Sequence, residues 1–169
     1  ITESFEPNVI RNSAVSYYIS KVAKENGFKV ILCGEGPDEV FAGYPEFEHC
    51  KGELEISRKI ENFISCLPRT QFQRVDRTSM HFTLEVRVPF FDTTFIDYAI
   101  RIPSKLKVRK VGEEKVTKWI LRKAMEDRLP EYITNRKKVV LAEGAGYKGN
   151  QTTGAVSYTH LRAHETLLD

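Results

Sequence analysis

The run Phe28-Lys29-Val30-Ile31-Leu32-Cys33-Gly34-Glu35-Gly36-Pro37-Asp38-Glu39-Val40-Phe41-Ala42-Gly43-Tyr44 decides the fold class. Its first six residues are apolar and rich in β-branched side chains, which predicts a buried strand bounded by glycines. Just upstream, Ile10, Ala14, Tyr18 and Val22 recur at helical spacing over about Ile10 to Asn26, and Gly27 marks the stop. A helix, a glycine, a strand and then a glycine-rich turn is the grammar of an α/β sheet. Beyond the turn, Asp38 to Tyr44 reads as a short helix.

Downstream the pattern turns mostly helical. Glu53 to Leu67 carries Ile56, Ile60, Phe63, Ile64 and Leu67 on one stripe, with Pro68 as terminator. Gln71 to Phe82 is also expected to be helical. Val86 to Phe91 is expected to be extended, because Pro89 disfavours helical backbone before it. Asp92 is placed to cap a helix running to about Arg101. Glu113 to Asp127 reads as an amphipathic helix burying Val116, Trp119, Ile120 and Ala124. No internal repeat is present.

Composition narrows the classes. The 169 residues are 41% hydrophobic and 29% charged, too apolar for a disordered chain and too mixed for a low-complexity one. No apolar run approaches the roughly 20 residues of a membrane span. The net charge of +3 gives no argument for nucleic acid. Cys33, Cys50 and Cys66 lack C-x-x-C spacing, which points to free thiols in a reducing, cytoplasmic setting rather than a disulfide or zinc framework.

Charge is unevenly spread. Residues 34–62 hold 8 acids against 3 bases, and residues 101–138 hold 13 bases against 5 acids. Such a map suits a metal–phosphate substrate held between the two segments, or equally two solvated faces. In the turn, Gly34 and Gly36 let a ligand approach the backbone. Glu35, Asp38 and Glu39 repel one another unless a cation or proton intervenes, and Mg²⁺ shared with nucleotide phosphates would meet that need. Asp38 and Glu39 in a first helical turn would also complement the helix dipole without any ligand. His49 and His81 have no second ligand at metal spacing.

Four blocks resemble the glutamine-hydrolysing asparagine synthetase family. Cys33-Gly34-Glu35-Gly36-Pro37-Asp38-Glu39-Val40-Phe41-Ala42-Gly43-Tyr44 is similar to the family's S-G-E-G-[AS]-D-E-[VI]-F-G-G-Y. Arg77 to Asp92 resembles S-x-x-x-x-L-E-[AV]-R-V-P-F-L-D, and Lys118-Trp119-Ile120-Leu121-Arg122-Lys123-Ala124 resembles K-W-x-L-R-K-A. Asn135-Arg136-Lys137-Lys138 through Glu143-Gly144-Ala145-Gly146-Tyr147 looks like W-R-x-K…D-G-V-G-Y. The blocks occur in order and cover about Phe5 to Tyr147.

The resemblance implies the C-terminal, mostly helical part of an ATP-pyrophosphatase (adenine nucleotide α-hydrolase-like) parallel-sheet domain over residues 1–153. It implies ATP and Mg²⁺ as cofactors and aspartate as substrate, converted to asparagine through a β-aspartyl-adenylate. The ammonia would come from glutamine hydrolysed by an N-terminal domain, in an enzyme that is commonly a homodimer. Residue by residue, Cys33, Gly34 and Gly36 fall at the ATP-binding turn, Glu35 at the glutamate needed for adenylation, Asp38 at the metal-binding aspartate and Lys118 at the lysine near pyrophosphate. Lys115 and Arg122 fall on the same helical face as Lys118, which strengthens a phosphate-facing reading. The alternative for Lys118 is a surface lysine paired with Glu114 at i,i+4.

The departures are specific. Cys33 stands for the usual Ser, Pro37 for a small residue and Ala42 for a Gly, which puts a side-chain contact at position 33 in doubt. The family's Ser-Gly-Gly-x-Asp-Ser pyrophosphate loop and the glutaminase cysteine do not occur in the sequence, so the 169-residue chain itself is expected to be inactive. Residues 154–169 share no pattern with what precedes them and read as a non-native or disordered tail. Two alternatives stay open: a β-lactam-forming or other amide-forming synthetase on the same fold, against which Glu35 argues, and a non-catalytic nucleotide-binding remnant.

Overall fold

A computed structural model describes residues 1–146; the tail expected at 154–169 lies outside the described residues. In chain order the longer helices are α1 (Pro7–Glu25), α3 (Glu53–Cys66), α4 (Gln71–Met80) and α5 (Thr93–Arg101), with short helices α2 (Pro37–Val40), α6 (Ser104–Lys107), α7 (Trp119–Ala124), α8 (Glu131–Thr134) and α9 (Leu141–Gly144). Among the described residues there are also three short 3-10 turns and four three-residue strands: β1 (Val30–Leu32), β2 (Glu85–Arg87), β3 (Arg109–Val111) and β4 (Glu114–Val116). The architecture is therefore mostly helical with two small sheets, compatible with the α/β class. Among the described residues no helix is long and apolar enough to cross a membrane, and the three cysteines are free thiols.

Strands β1 and β2 pair in one two-stranded sheet. The Glu85 N–H donates to the Lys29 carbonyl, and further along both strands the Cys33 N–H donates to the Arg87 carbonyl. Both strands advance together between these bonds, so they run parallel. The expectation of a buried strand is not met: Phe28 is 56% and Leu32 73% exposed. A parallel strand is buried on both faces only where other elements cover both.

The chain divides into two compact units. In the first (residues 1–31, 68–86 and, of those described, 139–146), α1 packs along α4. The buried face of α1 carries Ser13 and Ser20, not the predicted stripe, whose Tyr18 and Val22 are exposed. Small hydroxyls allow close helix approach at little cost, because Ser13 Oγ and Ser20 Oγ donate to the carbonyls of Val9 and Ser16. Across this seam the buried Arg74 donates to Ser16 Oγ at 2.6 Å, and the Tyr17 ring packs at a tilt against Phe82 with centroids 4.7 Å apart. Asn12 Oδ1 accepts from the Ala142 N–H and holds α9 against α1.

The second unit (residues 32–67 and 87–138) contains two apolar clusters. One gathers Ala42, Phe47, Cys50, Ile56, Ile60 and Val108, with Tyr44 and Phe63 against it. The other gathers Val40, Phe41 and Ala99, with Phe91, Phe95 and Ile120 among its partly buried neighbours. The α3 stripe read from sequence faces inward as expected, with Ile56, Ile60 and Leu67 buried. Asp92 caps α5 as expected, its Oδ1 accepting from the Thr94 and Phe95 N–H groups, a cap worth about 1 kcal/mol.

One element is corrected. The predicted helix over Glu113–Asp127 is a β3–β4 hairpin followed by the six-residue α7. The register pairs Val111 with Glu114, which leaves Gly112 and Glu113 as a two-residue turn, and Gly112 holds φ +61° there. The helical pattern began inside the hairpin, where Val116 of β4 happened to keep helical spacing with Trp119 and Ile120. Of the four residues expected to be buried, Val116, Trp119 and Ile120 are half-buried and Ala124 is exposed. The Arg109 guanidinium lies over the Trp119 ring, 4.2 Å from its centroid.

Candidate active site

The turn after β1 is shaped by a glycine that nothing else could replace. Gly36 holds φ +114°, and a Cβ there would lie 2.4 Å from a ring carbon of Phe91. The chain thus reverses tightly into α2, with Pro37 at the first helical position, where its missing N–H is not needed. Gly34 is exposed and has open space where a Cβ would be. Cys33 and Glu35 are half-buried on the same turn.

Asp38 is the centre of the arrangement. Its Oδ1 lies 2.8 Å from Lys118 Nζ and its Oδ2 lies 3.2 Å from Lys138 Nζ. Oδ1 is buried and receives no aligned hydrogen bond, so its contact with Lys118 is an ion pair without hydrogen-bond geometry. Gly43 makes the approach possible: its N–H donates to the Asp38 carbonyl at 2.7 Å. A Cβ on Gly43 would fall 2.2 Å from Asp38 Oδ1 and 2.3 Å from Lys118 Cε. Lys118 reaches inward from a left-handed backbone (φ 52°, ψ 29°) at the start of α7.

The two lysines are far apart in sequence, and Arg122 bridges residues that precede each of them. Its guanidinium donates to the carbonyls of Thr117 at 2.8 Å, Arg136 at 2.9 Å and Thr134. Lys138 also lies over the Tyr44 ring, 5.8 Å from its centroid. The Tyr44 hydroxyl donates to Glu39, and the ring packs on Phe63 with centroids 4.8 Å apart. Burial pushes the Glu39 carboxyl upward; the Tyr44 hydrogen bond partly opposes this, and the charges of Asp38 and Glu35 add to it.

Asp38 and Lys118, both singled out from sequence, are in direct contact, and Glu35 lies near enough to act on Glu39 together with Asp38. Cys33, Gly34 and Gly36 lie on the turn that leads into this group. The phosphate-facing reading of Lys115 and Arg122 is corrected. Lys115 stands on β4 and donates to the Cys50 carbonyl, while Arg122 spends its donors on backbone carbonyls. Lys118 pairs with Asp38 rather than Glu114, because residues 114 and 118 do not share a helix. Lys138 and Gly43 were not recognised as part of the site, although both stand in the blocks quoted above. The only available signal was the paired Lys137-Lys138 and the small residue before Tyr44.

Among the described residues no group of three or more His, Cys, Asp or Glu side chains could hold a metal. A metal that brings most of its own ligands is a different case. Mg²⁺ is commonly bound by one or two carboxylates plus phosphates and water. Asp38, with a buried Oδ1 that no aligned donor satisfies, suits that role, while Lys118 and Lys138 beside it suit the phosphates.

The sequence matches the profile of the family described as Asparagine synthase over residues 1–65 and 55–155. The chain belongs to the asparagine synthase family. It is 35% identical over 149 residues to asparagine synthetase [glutamine-hydrolyzing] 2 of Lotus japonicus, covering 86% of this chain and 25% of that protein. It is 35% identical over 150 residues to the nodule asparagine synthetase of Pisum sativum (86% and 26%). The figure is 34% over 149 residues for asparagine synthetase [glutamine-hydrolyzing] 1 of Arabidopsis thaliana (86% and 26%). The chain thus spans about a quarter of the length of these asparagine synthetase relatives.

Proposed function

We propose that this chain is the C-terminal part of the ATP-dependent synthetase domain of a glutamine-hydrolysing asparagine synthetase, with residues 1–153 forming that part. The observation that carries the reading is the convergence of Lys118 and Lys138 on Asp38 at the carboxyl end of a parallel strand. Open α/β sheets bind their ligands at such strand ends, which also favours the ATP-pyrophosphatase type of sheet.

The reaction proposed has two steps. The side-chain carboxylate of aspartate attacks the α-phosphorus of ATP, giving β-aspartyl-adenylate and pyrophosphate. Ammonia then attacks the acyl carbon, giving asparagine and AMP with loss of a proton. Mg²⁺ bound with ATP would supply neutralisation of phosphate charge. Asp38 is the side chain that would hold it. Lys118 and Lys138, held beside Asp38, stabilise charge as it develops on the leaving pyrophosphate. Gly34 and Gly36, with the Cys33 backbone, let the nucleotide lie close to the turn, and Glu35 orients the aspartate or takes the proton released by ammonia. In the full-length protein, ammonia reaches this site from a separate glutaminase domain, and the enzyme works in the cytoplasm, as a homodimer.

The test is aspartate-dependent pyrophosphate release by the full-length protein. Glu35→Gln is expected to abolish it and Lys118→Ala to lower it severely; wild-type rates in either variant would remove that residue from the mechanism. The 169-residue chain alone is expected to release no pyrophosphate, since the sequence contains no Ser-Gly-Gly-x-Asp-Ser loop.

A further inference from the structure

We infer that Arg122 is a positioning residue that sets the spacing between Lys118 and Lys138 around Asp38. The inference rests on the function proposed above only for its kinetic readout. Three carbonyls are gathered by one planar group: Thr117, which directly precedes Lys118, and Thr134 and Arg136, which lead into Lys138. Those carbonyls come from the residue two positions before α7, the last residue of α8 and the segment beyond it. These bonds fix residues 134 and 136 beside the residue that precedes Lys118, and from there Lys138 reaches Asp38 Oδ2.

The geometry requires arginine in particular. A guanidinium presents its N–H donors in a fixed plane and can serve three acceptors at once, whereas a lysine ammonium is a point donor on a flexible stem. The charge of Asp38 acts on the Arg122 guanidinium, but the donors of Arg122 go to backbone carbonyls of residues that precede the two lysines. Its positioning effect therefore runs through the backbone, and Arg122→Lys keeps the charge while removing the fork. Each lysine is then held at a defined distance from the point where phosphate charge would develop, and misplacement by about 1 Å can lower a rate by about 100-fold.

The experiment uses the full-length protein and two variants, Arg122→Gln and Arg122→Lys. A brief pulse of acetic anhydride followed by mass spectrometry reports the reactivity of each lysine amine. Lys107, fully buried, serves as the internal check that the unit is folded, and Lys110, exposed on β3, serves as the open reference. In the wild type, Lys118 and Lys138 are expected to react much more slowly than Lys110. In both variants Lys138 is expected to approach the reactivity of Lys110 while Lys107 stays protected. The kcat for pyrophosphate release is expected to fall by about 100-fold, with a smaller change in KM for ATP.

Wild-type labelling of Lys138 in Arg122→Gln would overturn the inference whatever the kinetics. If Arg122→Gln exposes Lys107, Arg122→Lys decides, since it keeps the charge and the stem and loses only the fork. Exposure of Lys107 in both variants would make Arg122 a residue of the fold as a whole and overturn its positioning role. A wild-type protein that releases no pyrophosphate would sink the functional reading and leave the labelling result to decide on Arg122.

Discussion

Lys118 adopts a left-handed backbone conformation (φ 52°) while its ammonium lies 2.8 Å from Asp38 Oδ1. Such a conformation costs a residue with a Cβ about 1–2 kcal/mol. It persists where the surroundings over-determine it, which is common at sites that do chemistry. Here the surroundings are Asp38, the close approach of Gly43 and the Arg122 bond to the Thr117 carbonyl.

Asp38→Asn leaves two ammonium groups facing each other with no counter-charge. Breaking a buried pair costs about 3–5 kcal/mol, and the partial exposure of these three side chains reduces this to about 1–3 kcal/mol. The amides of Val40, Phe41 and Gly43, which bond within and just after α2, are the reporters. Their hydrogen exchange is expected to speed up accordingly; unchanged protection would mean that the lysines do not depend on Asp38.

Gly43 and Gly34 are predicted to behave oppositely. Gly43→Ala drives a methyl group into Asp38 Oδ1 and Lys118 Cε, with the Asp38 Cα 2.9 Å away and unable to yield. Overpacking of this kind costs about 1–3 kcal/mol, and exchange protection in α2 should drop. Gly34→Ala meets nothing within 4 Å, so its protection should match the wild type within about 0.5 kcal/mol. Equal effects at the two positions would contradict the packing described.

Lys107 gives a pH dependence with a definite sign. Burial lowers its pKa from 10.5 to about 8, and its ammonium has the Ile100 carbonyl as an acceptor at 3.4 Å. Between those two values the unfolded chain binds a proton that the folded one does not, so stability rises as pH climbs through that window. Below about pH 8 the full cost of the buried charge is present. Lys107→Met should therefore stabilise the unit near neutral pH by up to about 3 kcal/mol, with the gain shrinking toward pH 10.5. Protection of the Val108 amide, which bonds to the Ser104 carbonyl, measures this; a gain independent of pH would count against a charge effect.

The residues that announced themselves in sequence were those whose role is local. The α3 stripe, the Asp92 cap and the glycine turn after β1 depend on neighbours a few positions away, and all three are present in the structure. Glu113–Asp127 misled because Val116, Trp119 and Ile120 fit a helical period, while the decisive feature was the single turn glycine, Gly112. The buried face of α1 was hidden because it is made of Ser13 and Ser20, which carry no apolar signal. Asp38 and Lys118 stood out as candidate site residues because each sits in a block with a known resemblance, and the structure brings the two into contact. Lys138 and the fork of Arg122 did not stand out, because their part depends on contacts across 12 to 100 positions of chain.

Adenylation of the aspartate side chain is the central claim, and oxygen transfer tests it most directly. The full-length protein would be given ATP, Mg²⁺, ammonia and aspartate labelled with ¹⁸O in its side-chain carboxylate. If that carboxylate attacks the α-phosphorus, one labelled oxygen leaves on AMP when ammonia displaces it, and mass spectrometry finds ¹⁸O in AMP with unlabelled pyrophosphate. Label appearing in inorganic phosphate alongside ADP, or asparagine formed without label in AMP, would contradict the account.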